Sequence, residues 1–431
     1  MNKLLHQLPQ LLGMATSLLL LSVANVAWAA IDGISGPVFN LTAKADYIST
    51  ADGGSLYAWG YANGNGTMQY PGPTMIVNQG DTVTINLSNE LPVPVSIVLP
   101  GQQGIVSSGG GAGIMTQEAA AMAGSVPGTV SYTFTATQPG TYLYHSGTQP
   151  SLQVEMGLLG ALIVRPSATD PLHQAYGHAA TNFDHEYLFL LTEMDPAIHD
   201  QVLAKVTAGG ALNVDTSAYH PVLWFMNGRN APDTLLAANV PWLPTQPYNC
   251  LPRMHPGEKL LMRVVNAGRD LHPLHTHGNN FTLLARDGRL LESVPGIGPD
   301  LATSDFTLRS VPGETYDAIF EWTGKNLGWD IYGHTSANDP LAPNEYAPDH
   351  GKPIPVVLPN LQDVSFGAHY SGSPYLGSFG ALPPGGTMLN GAGGYFHMWH
   401  SHNELEIVNN DIFPGGMMTM LIIEPAGTPI P

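Results

Sequence analysis

Short segments in which apolar and polar residues alternate recur along the chain, separated by clusters of Gly, Pro and Asn. Clear examples lie at 82–87 (TVTINL), 131–134 (SYTF) and 259–265 (KLLMRVV). A period of two predicts strands, and closely spaced turn residues between them are typical of antiparallel β-sandwiches. The 49 Gly and 37 Pro, with only 11% charged residues, also predict many turns and few long helices.

The same order of signals occurs twice. In each half an opening turn leads to a turn with Gly and an acidic residue, and an alternating strand follows, at 71–83 and again at 227–260. Each half also closes on a strand with histidine, followed by a long apolar run, at 140–164 and at 400–423. This repeat predicts two sandwiches of similar construction.

The repeat sets the predicted domain boundaries. We expect a first sandwich at 30–166, a linker at 167–183, and a second sandwich at 184–431. A Pro/Gly-rich insertion at about 334–394 interrupts the second sandwich. Structureless insertions of this length are usually functional or serve as packing arms.

Residues 1–29 have the features of a cleavable signal peptide. Lys3 is followed by an apolar core that contains four consecutive leucines at 18–21, and 27–29 (AWA) matches a signal-peptidase site before Ala30. The apolar stretch is too short for a membrane anchor. We therefore expect a periplasmic or secreted protein with no membrane anchor.

Composition narrows the classes of partner. The 431 residues include 14 basic and 33 acidic ones, a formal net charge of −19, which argues against nucleic acid and anionic membranes as partners. At 43% hydrophobic the chain can bury sizeable cores. The single cysteine, Cys250, rules out an intrachain disulfide, and we expect it to be a buried apolar residue.

Two pairs of histidines carry the strongest chemical signal. His275 and His277 form one pair, and His400 and His402 form the other. In a strand, residues i and i+2 point to the same face, so each pair presents two imidazoles together. Four neutral imidazoles converging from two strands predict a metal site, and imidazole suits copper, zinc, iron and nickel.

The segments 272–278 (HPLHTHG) and 399–402 (WHSH) resemble two signature blocks of multicopper oxidases, His-Pro-X-His-X-His-Gly and His-Cys-His. Further segments fit the family in order: 266–268, 286–288, 312–314 and 400–418. The resemblance covers nearly the whole mature chain, and its layout is similar to two-domain laccases and copper nitrite reductases. It implies an all-β chain of two cupredoxin-like Greek-key β-sandwich domains in tandem, copper as the cofactor, and a homotrimer with copper between subunits.

In this family a blue type 1 copper takes two histidines, a cysteine thiolate and often a methionine. By the resemblance, His272 matches the first histidine, Ser401 the cysteine, and Met417 or Met418 the methionine. No histidine follows at 403–407 to act as the second. A serine hydroxyl is not soft, whereas soft thiolate creates this kind of site. We therefore expect no blue copper and a structural role for His272.

One alternative stays open at the type 1 position. His397, Trp399 and Ser401 share the strand face opposite His400, so His397 is a candidate partner for His272. The missing cysteine also removes the family's route for electrons from type 1 copper to the oxygen-reducing copper cluster. Laccase-like oxidation of phenols is therefore not expected.

The family's other copper centre is trinuclear and takes eight histidines from four His-X-His pairs. Two pairs match the histidines described above. In the first domain only His145 remains, because the other three positions hold Val98, Pro100 and Gly147. Five ligands are too few for three coppers but enough for one or two. We therefore predict a type 2-like copper centre of the two pairs, with His145 contributed across a subunit interface.

Three functional hypotheses follow. The first is a copper-dependent oxidoreductase of this family that exchanges electrons with a small-molecule or protein donor. The second is a copper-binding or copper-sequestering cupredoxin without turnover. The third is a structural protein with vestigial histidines, against which the two complete pairs argue.

For two other groups of residues a structural role is the more usual interpretation. The polar clusters at 184–186 (DHE) and 193–195 (EMD) are expected to be surface turns. Met115 and Met122, and the methionines at 417–420, offer thioethers that suit Cu(I), although filling gaps in the core is the more usual role of methionine.

Overall fold

The computed structural model of the protein describes residues 31–167, 173–325, 328–332, 334, 336–353, 395–424 and 428–430. The predicted signal peptide, part of the predicted linker and most of the predicted insertion lie outside these residues.

Eleven strands and one short helix make up the first part of the described chain. They are β1 (Ile34–Ser35), β2 (Val38–Ser49), β3 (Ser55–Asn63), β4 (Met75–Asn78), β5 (Thr82–Asn89), β6 (Val106–Ser108), β7 (Gly111–Ala112), β8 (Gln117–Glu118), β9 (Gly128–Thr135), β10 (Gly140–His145), α1 (Pro150–Gln153) and β11 (Leu159–Arg165).

Twelve strands and one longer helix follow in the described residues. They are β12 (His185–Met194), α2 (Pro196–Ala208), β13 (Leu223–Met226), β14 (Arg253–Met254), β15 (Lys259–Asn266), β16 (His272–Thr276), β17 (Phe281–Arg286), β18 (Arg289–Leu290), β19 (Thr303–Asp305), β20 (Thr307–Ser310), β21 (Thr315–Glu321), β22 (Tyr395–Ser401) and β23 (Met418–Ile423). Short 3-10 turns lie at Ala179–Thr181, Asp233–Leu235, Ala347–Asp349 and Glu404–Ile407.

The first sandwich pairs a four-stranded sheet, β1-β4-β11-β10, with a five-stranded sheet, β3-β2-β5-β9-β6. Strand β5 shows why the sequence folds this way, since Val83, Ile85 and Leu87 are buried while the intervening residues are partly or fully exposed. These side chains join one core that draws on both sheets. The alternating pattern in the sequence is therefore the inward face of a sheet.

The second sandwich has the same plan. One sheet runs β13-β12-β15-β21-β17-β18, with β19 on β17, and the other runs β14-β23-β22-β16-β20. Large aromatic side chains fill the space between them, including the fully buried Trp322, Trp329 and Trp399. Two packed sandwiches confirm the predicted all-β class and its tandem arrangement.

An apolar interface joins the two sandwiches. Strand β15 is buried along almost its whole length, because the face turned away from its own core lies against the first sandwich. Tyr70 of the first sandwich donates to Thr192 of the second at 2.6 Å, and Thr141 donates to Asp317 at 2.5 Å. The interface is thus closed by buried hydrogen bonds as well as by apolar contact.

Helix α2 is the main departure from an all-strand pattern. Asp195 caps its first turn by accepting from the Ala197 amide at 2.9 Å, Pro196 occupies the first position, and Gly209 ends it with φ 71°. Ile198 and Val202 of this helix are buried in the core of the first sandwich. A segment that follows the first strand of the second sandwich therefore completes the core of the first.

Cys250 is free and buried, as expected from its lack of a ligand pattern. Burial raises the pKa of its thiol, so the group is a small core residue. No helix among the described residues has both the length and the apolar character that a bilayer span requires.

Candidate metal centre

The two histidine pairs meet because their strands are neighbours. Strands β16 and β22 run antiparallel, and the register places His275 directly opposite His400. His277 and His402 each lie just beyond the end of their strand. The ring of His275 lies 4.8 Å from that of His277, 4.8 Å from that of His402 and 5.5 Å from that of His400. The structure therefore brings all four predicted residues of the two pairs together.

Hydrogen bonds fix which nitrogen of these rings faces the cluster. Nδ1 of His400 lies 2.6 Å from the carbonyl oxygen of Ser401, and a carbonyl only accepts, so Nδ1 carries the hydrogen. Nδ1 of His275 lies 2.8 Å from the hydroxyl of Thr307. Partners of this kind orient imidazole ligands in metal sites.

The inward nitrogens have the spacing of ligands on one ion. Nε2 of His400 lies 3.2 Å from Nε2 of His277, and one nitrogen from each of His275, His277 and His400 lies within 4.8 Å of the others. Two nitrogens bound to one ion at about 2.0 Å in tetrahedral geometry are separated by about 3.3 Å. The donor set therefore fits a single small cation.

The electrostatics of the cluster keep the imidazoles of His275, His277 and His400 neutral. Burial, together with the neighbouring imidazoles, lowers the pKa of His275 to about 4 and that of His277 to about 4. Burial also lowers the pKa of His400. Metal ligation requires an unprotonated ring nitrogen, so these rings are available to a cation near neutral pH.

One side of the cluster is open. His402 is exposed, and the half-exposed Phe306 lies with its ring 5.5 Å from that of His275. On the opposite side the indole of Trp399 donates to the carbonyl of His277 at 2.9 Å. The cluster is thus anchored in the core on one side and accessible on the other.

His145 lies at the end of β10 in the first sandwich. It is not among the described residues whose donor atoms form the compact group of His275, His277 and His400. Its Nδ1 lies 2.9 Å from the carbonyl of the next residue, Ser146, which repeats the arrangement of His400. Burial lowers its pKa, so its Nε2 is also an unprotonated donor.

Two of the replaced first-domain positions, Val98 and Gly147, lie close to His145. Val98 pairs with His145 in an isolated antiparallel bridge. A Cβ added to Gly147 would lie 2.6 Å from a methyl of Val98, so a side chain at either position restricts the other. Pro100 is exposed at the end of this segment. His145 is therefore the one histidine at these four positions of the first sandwich, and Val98 fills the space beside Gly147.

His272 has entirely different surroundings. It is fully buried, with Nε2 2.8 Å from Glu193 and Nδ1 2.9 Å from Glu406. Burial acts to lower its pKa, but the hydrogen bonds and charges of the two carboxylates outweigh this and raise the pKa to about 9. His272 is therefore an imidazolium whose two nitrogens are both engaged.

Ser401 belongs to the same network. Its hydroxyl donates to Glu406 at 2.5 Å, and the Asn403 amide donates to the other oxygen of that carboxylate at 2.9 Å. The backbone amide of Ser401 donates to the carbonyl of Met417 at 2.9 Å, and Met417 and Met418 are both buried. A network of hydrogen bonds between charged groups thus occupies the region where the resemblance places type 1 copper ligands.

The structure does not support His397 as the partner of His272. The β16–β22 register places His397 opposite Gly278, six residues beyond His272, or roughly 20 Å along the strand. A Cβ on Gly278 would lie 3.0 Å from the His397 ring. Burial, with a smaller effect of His277, lowers the pKa of His397 to about 3. His397 is a neutral core residue behind the four-imidazole cluster.

The expectation that 184–186 and 193–195 are surface turns is wrong. His185, Glu186 and Glu193 lie in β12 and are buried, because this strand is covered on both faces. Buried carboxylates need partners, and Glu193 meets His272 while Glu186 meets Arg263 at 2.9 Å. Acidic residues inside a segment that otherwise reads as an apolar strand were the signal that sequence reasoning missed.

Comparisons with known proteins agree with this architecture. The multicopper oxidase family model matches residues 49–169. Over 280 residues the chain is 27% identical to copper resistance protein A of Pseudomonas syringae pv. tomato, an alignment that covers 59% of this chain and 42% of that protein. Over 107 residues it is 35% identical to L-ascorbate oxidase of Cucurbita maxima, covering 24% of this chain and 18% of that protein. The chain spans less than half the length of these curated relatives.

Solved structures share the fold at low sequence identity. The blue copper oxidase from Nitrosomonas europaea superimposes with a TM-score of 0.55 and 19% identity, covering 89% of this chain and 85% of that one. The multicopper oxidase mgLAC gives a TM-score of 0.55 and 19% identity, covering 93% and 88%. Together with the matched domain, these findings show two cupredoxin-like domains. The chain therefore resembles multicopper oxidases: residues 49–169 match the model of that family, and the fold over most of the chain is that of solved multicopper oxidases.

Proposed function

We propose that this protein binds copper in a type 2-like centre formed by His275, His277, His400 and His402, and that it has no blue type 1 copper. The observation that carries the proposal is the contrast between two sets of histidines. The four in the cluster lie ring against ring, whereas His272 is held as a cation between Glu193 and Glu406.

The absence of type 1 copper rests on the His272 network. A copper ion at that position would have to displace a proton from His272 and break two hydrogen bonds to buried carboxylates. Breaking a buried ion pair is strongly destabilising, because it leaves charges without compensation. Ser401 would offer a hydroxyl in return, which is a poor ligand for copper.

Copper is the metal proposed for the four-imidazole cluster, because the family and the donor set agree. Imidazole nitrogens suit Cu(II), and the curated relatives include a protein named for copper resistance. Bound copper would supply one-electron redox chemistry. The protein contributes neutral nitrogens, the Thr307 and Ser401 contacts that orient two rings, and an open edge beside His402.

We propose copper-dependent oxidoreduction as the activity. Since Ser401 cannot relay electrons as a thiolate would, a small-molecule or protein donor must reach the centre itself. The exposed His402 and Phe306 mark where a donor has access. The second candidate is copper binding or sequestration without turnover, which is favoured by the same missing relay.

We further propose that the working form is a homotrimer in which His145 of one subunit adds to the cluster of the next. His145 has the same carbonyl-fixed orientation as His400, yet its own sandwich supplies no second histidine at Val98 or Gly147. Exposed Met115 lies beside Gly147, and exposed Phe306 lies beside the cluster, so each surface has an apolar contact to offer.

A spectroscopic experiment tests the copper assignment. Copper-loaded protein should give a type 2 electron paramagnetic resonance signal and no intense thiolate-to-copper band in the visible spectrum. An intense blue colour would contradict the assignment. Oxygen uptake in the presence of reducing donors then separates oxidoreductase from carrier, since only the enzyme consumes oxygen continuously.

Light scattering tests the assembly. A trimer in the copper-loaded state, and weaker copper retention in His145→Ala, are expected. A monomer that holds copper equally well with and without His145 would contradict the shared site. Export is tested by sequencing the N-terminus of protein recovered outside the cytoplasm, which should begin at Ala30.

A further inference from the structure

A second group of potential ligands lies at the start of the predicted insertion, away from the four-imidazole cluster. Trp329 and Ile331 are buried in the core of the second sandwich, and the Trp329 indole donates to Tyr395 at 3.2 Å. Asp330, between them, contacts His334 and His350 instead. The segment is therefore anchored to the core while its intervening carboxylate is directed at the loop that follows.

Four side chains meet at this point: Asp330, His334, Glu345 and His350. Nδ1 of His334 lies 2.8 Å from Asp330 and 3.4 Å from Glu345. Nδ1 of His350 lies 2.7 Å from Glu345 and 3.6 Å from Asp330. Each nitrogen thus has both carboxylates as neighbours, and the four distances fall around the spacing of about 3.3 Å expected between ligands of one tetrahedral ion.

The orientation of His350 points to a cation between these groups. Its Nε2 lies 2.9 Å from the carbonyl of Asp339, so Nε2 carries a hydrogen. In neutral imidazole the lone pair on Nδ1 would then face the carboxylate of Glu345 at 2.7 Å, which is repulsive. Either a second proton or a metal ion must lie between them.

The carboxylates are held in place by backbone amides. Asp330 accepts from the Tyr332 amide at 2.8 Å and from the Gly351 amide at 2.7 Å. Glu345 accepts from the Ala342 amide through its outer oxygen at 2.6 Å, leaving the inner oxygen for the cluster. Supporting hydrogen bonds of this kind are what fix carboxylate ligands in metal sites. Both carboxylates and His350 are almost fully shielded from solvent.

We propose that Asp330, His334, Glu345 and His350 bind one divalent cation of borderline softness, with zinc as the reference ion. Two imidazoles and two carboxylates suit such ions, and four protein ligands make a closed site, which is the structural kind. The ion would join residue 330, fixed to the core, to residues 345 and 350, and so clamp the start of the insertion onto the second sandwich.

Zinc content tests the proposal. Because four imidazoles also suit zinc, the comparison starts from the full chain carrying His277→Ala and His402→Ala, stripped with chelator and reloaded with zinc. This parent should retain one zinc ion per chain after gel filtration. Adding His334→Ala and His350→Ala should abolish retention, whereas adding His220→Ala, an exposed histidine outside both clusters, should not.

A second variant pair guards against loss of folding. Asp330→Asn with Glu345→Gln keeps the size of both side chains and removes their charges, so zinc retention should fall while circular dichroism stays unchanged. Cobalt loaded in place of zinc should show the intense visible bands of tetrahedral coordination in the parent, and these bands should be missing from the ligand variants. Zinc retention equal in parent and ligand variants, or none in the parent, would mean that two ion pairs account for the cluster and would overturn the proposal.

Discussion

His272 and His275 lie three residues apart on one strand, yet the first is charged and the second is neutral. His272 has a carboxylate at each nitrogen and a pKa raised to about 9, whereas His275 is surrounded by other imidazoles and has a pKa lowered to about 4. One position holds a proton between two carboxylates, and the other presents the unprotonated nitrogens that a metal requires. The difference is decided by what the neighbouring strands bring: Glu193 from β12 in one case, His400 from β22 in the other.

The largest expected effect separates the two regions by copper content. His277→Ala with His402→Ala removes two imidazole donors, and since loss of an outer partner alone costs 10–100-fold in metal affinity, we expect at least roughly 100-fold weaker copper binding. His272→Ala should leave the copper content of the folded protein unchanged. Equal losses would mean that the two regions have been assigned the wrong way round. Elemental analysis after gel filtration gives the measurement.

For the free energy of unfolding we expect the opposite order, with the larger loss on substitution of His272. His272→Ala leaves two buried carboxylates without their cation, so we expect a loss of about 3–5 kcal/mol in the free energy of unfolding. His402→Ala, at an exposed position, should cost less than about 0.5 kcal/mol without metal. Denaturant unfolding of metal-free protein provides both values. A loss below about 1 kcal/mol for His272→Ala would show that the network is not held by charge.

The pH dependence of stability follows from the same network. Because the pKa of His272 is raised from 6.5 to about 9 on folding, its contribution is complete below pH 6.5 and disappears as the pH rises through about 9. The contribution is on the order of 3 kcal/mol at most. His272→Gln should lack this decline between pH 6.5 and 9. Parallel curves for the two proteins would refute a charged His272.

Gly268 offers a way to disturb the network without touching its members. A Cβ at this position would lie 1.9 Å from a carboxylate oxygen of Glu193, so Gly268→Ala should push Glu193 away from His272. We expect a loss of about 1–3 kcal/mol, typical of leaving a buried polar group without its partner. Gly210→Ala is the matched control, since nothing lies within 4 Å of its added Cβ. Similar stability of both variants would contradict the close approach.

The smallest expected effect belongs to Ser401→Cys. A thiol at this position gains no free imidazole, because His272 remains engaged by both carboxylates. Copper-loaded protein should therefore stay colourless in the thiolate region, and oxygen uptake with a phenolic donor should not rise. Blue colour in this variant would show that the network yields readily to copper.

The fold was readable from the sequence because local pattern and tertiary packing agree. The alternation at 82–87 became β5, and 259–265 became β15, and the apolar residues of both strands are buried. The convergence of the two histidine pairs was also predicted, since their motifs specify neighbouring strands. The ligand roles of these residues remain predictions.

The sequence did not reveal the network around His272. Glu193, His272 and Glu406 are separated by 79 and 134 positions, so no local pattern connects them. Glu406 lies in the segment 403–407, which the sequence distinguishes only by its lack of a histidine. The interpretation of 193–195 as a surface turn failed because β12 is covered by sheet neighbours and by the first sandwich, which only the tertiary structure provides.

The position of α2 has a consequence for how this chain can be cut or recombined. The predicted boundary at 184 would leave Ile198 and Val202 on one fragment and the core they complete on the other. A gene fragment ending at the linker should therefore yield an aggregation-prone sandwich with an uncovered apolar patch. Domain exchange with relatives should succeed only if the crossover falls after Gly209, where the helix ends.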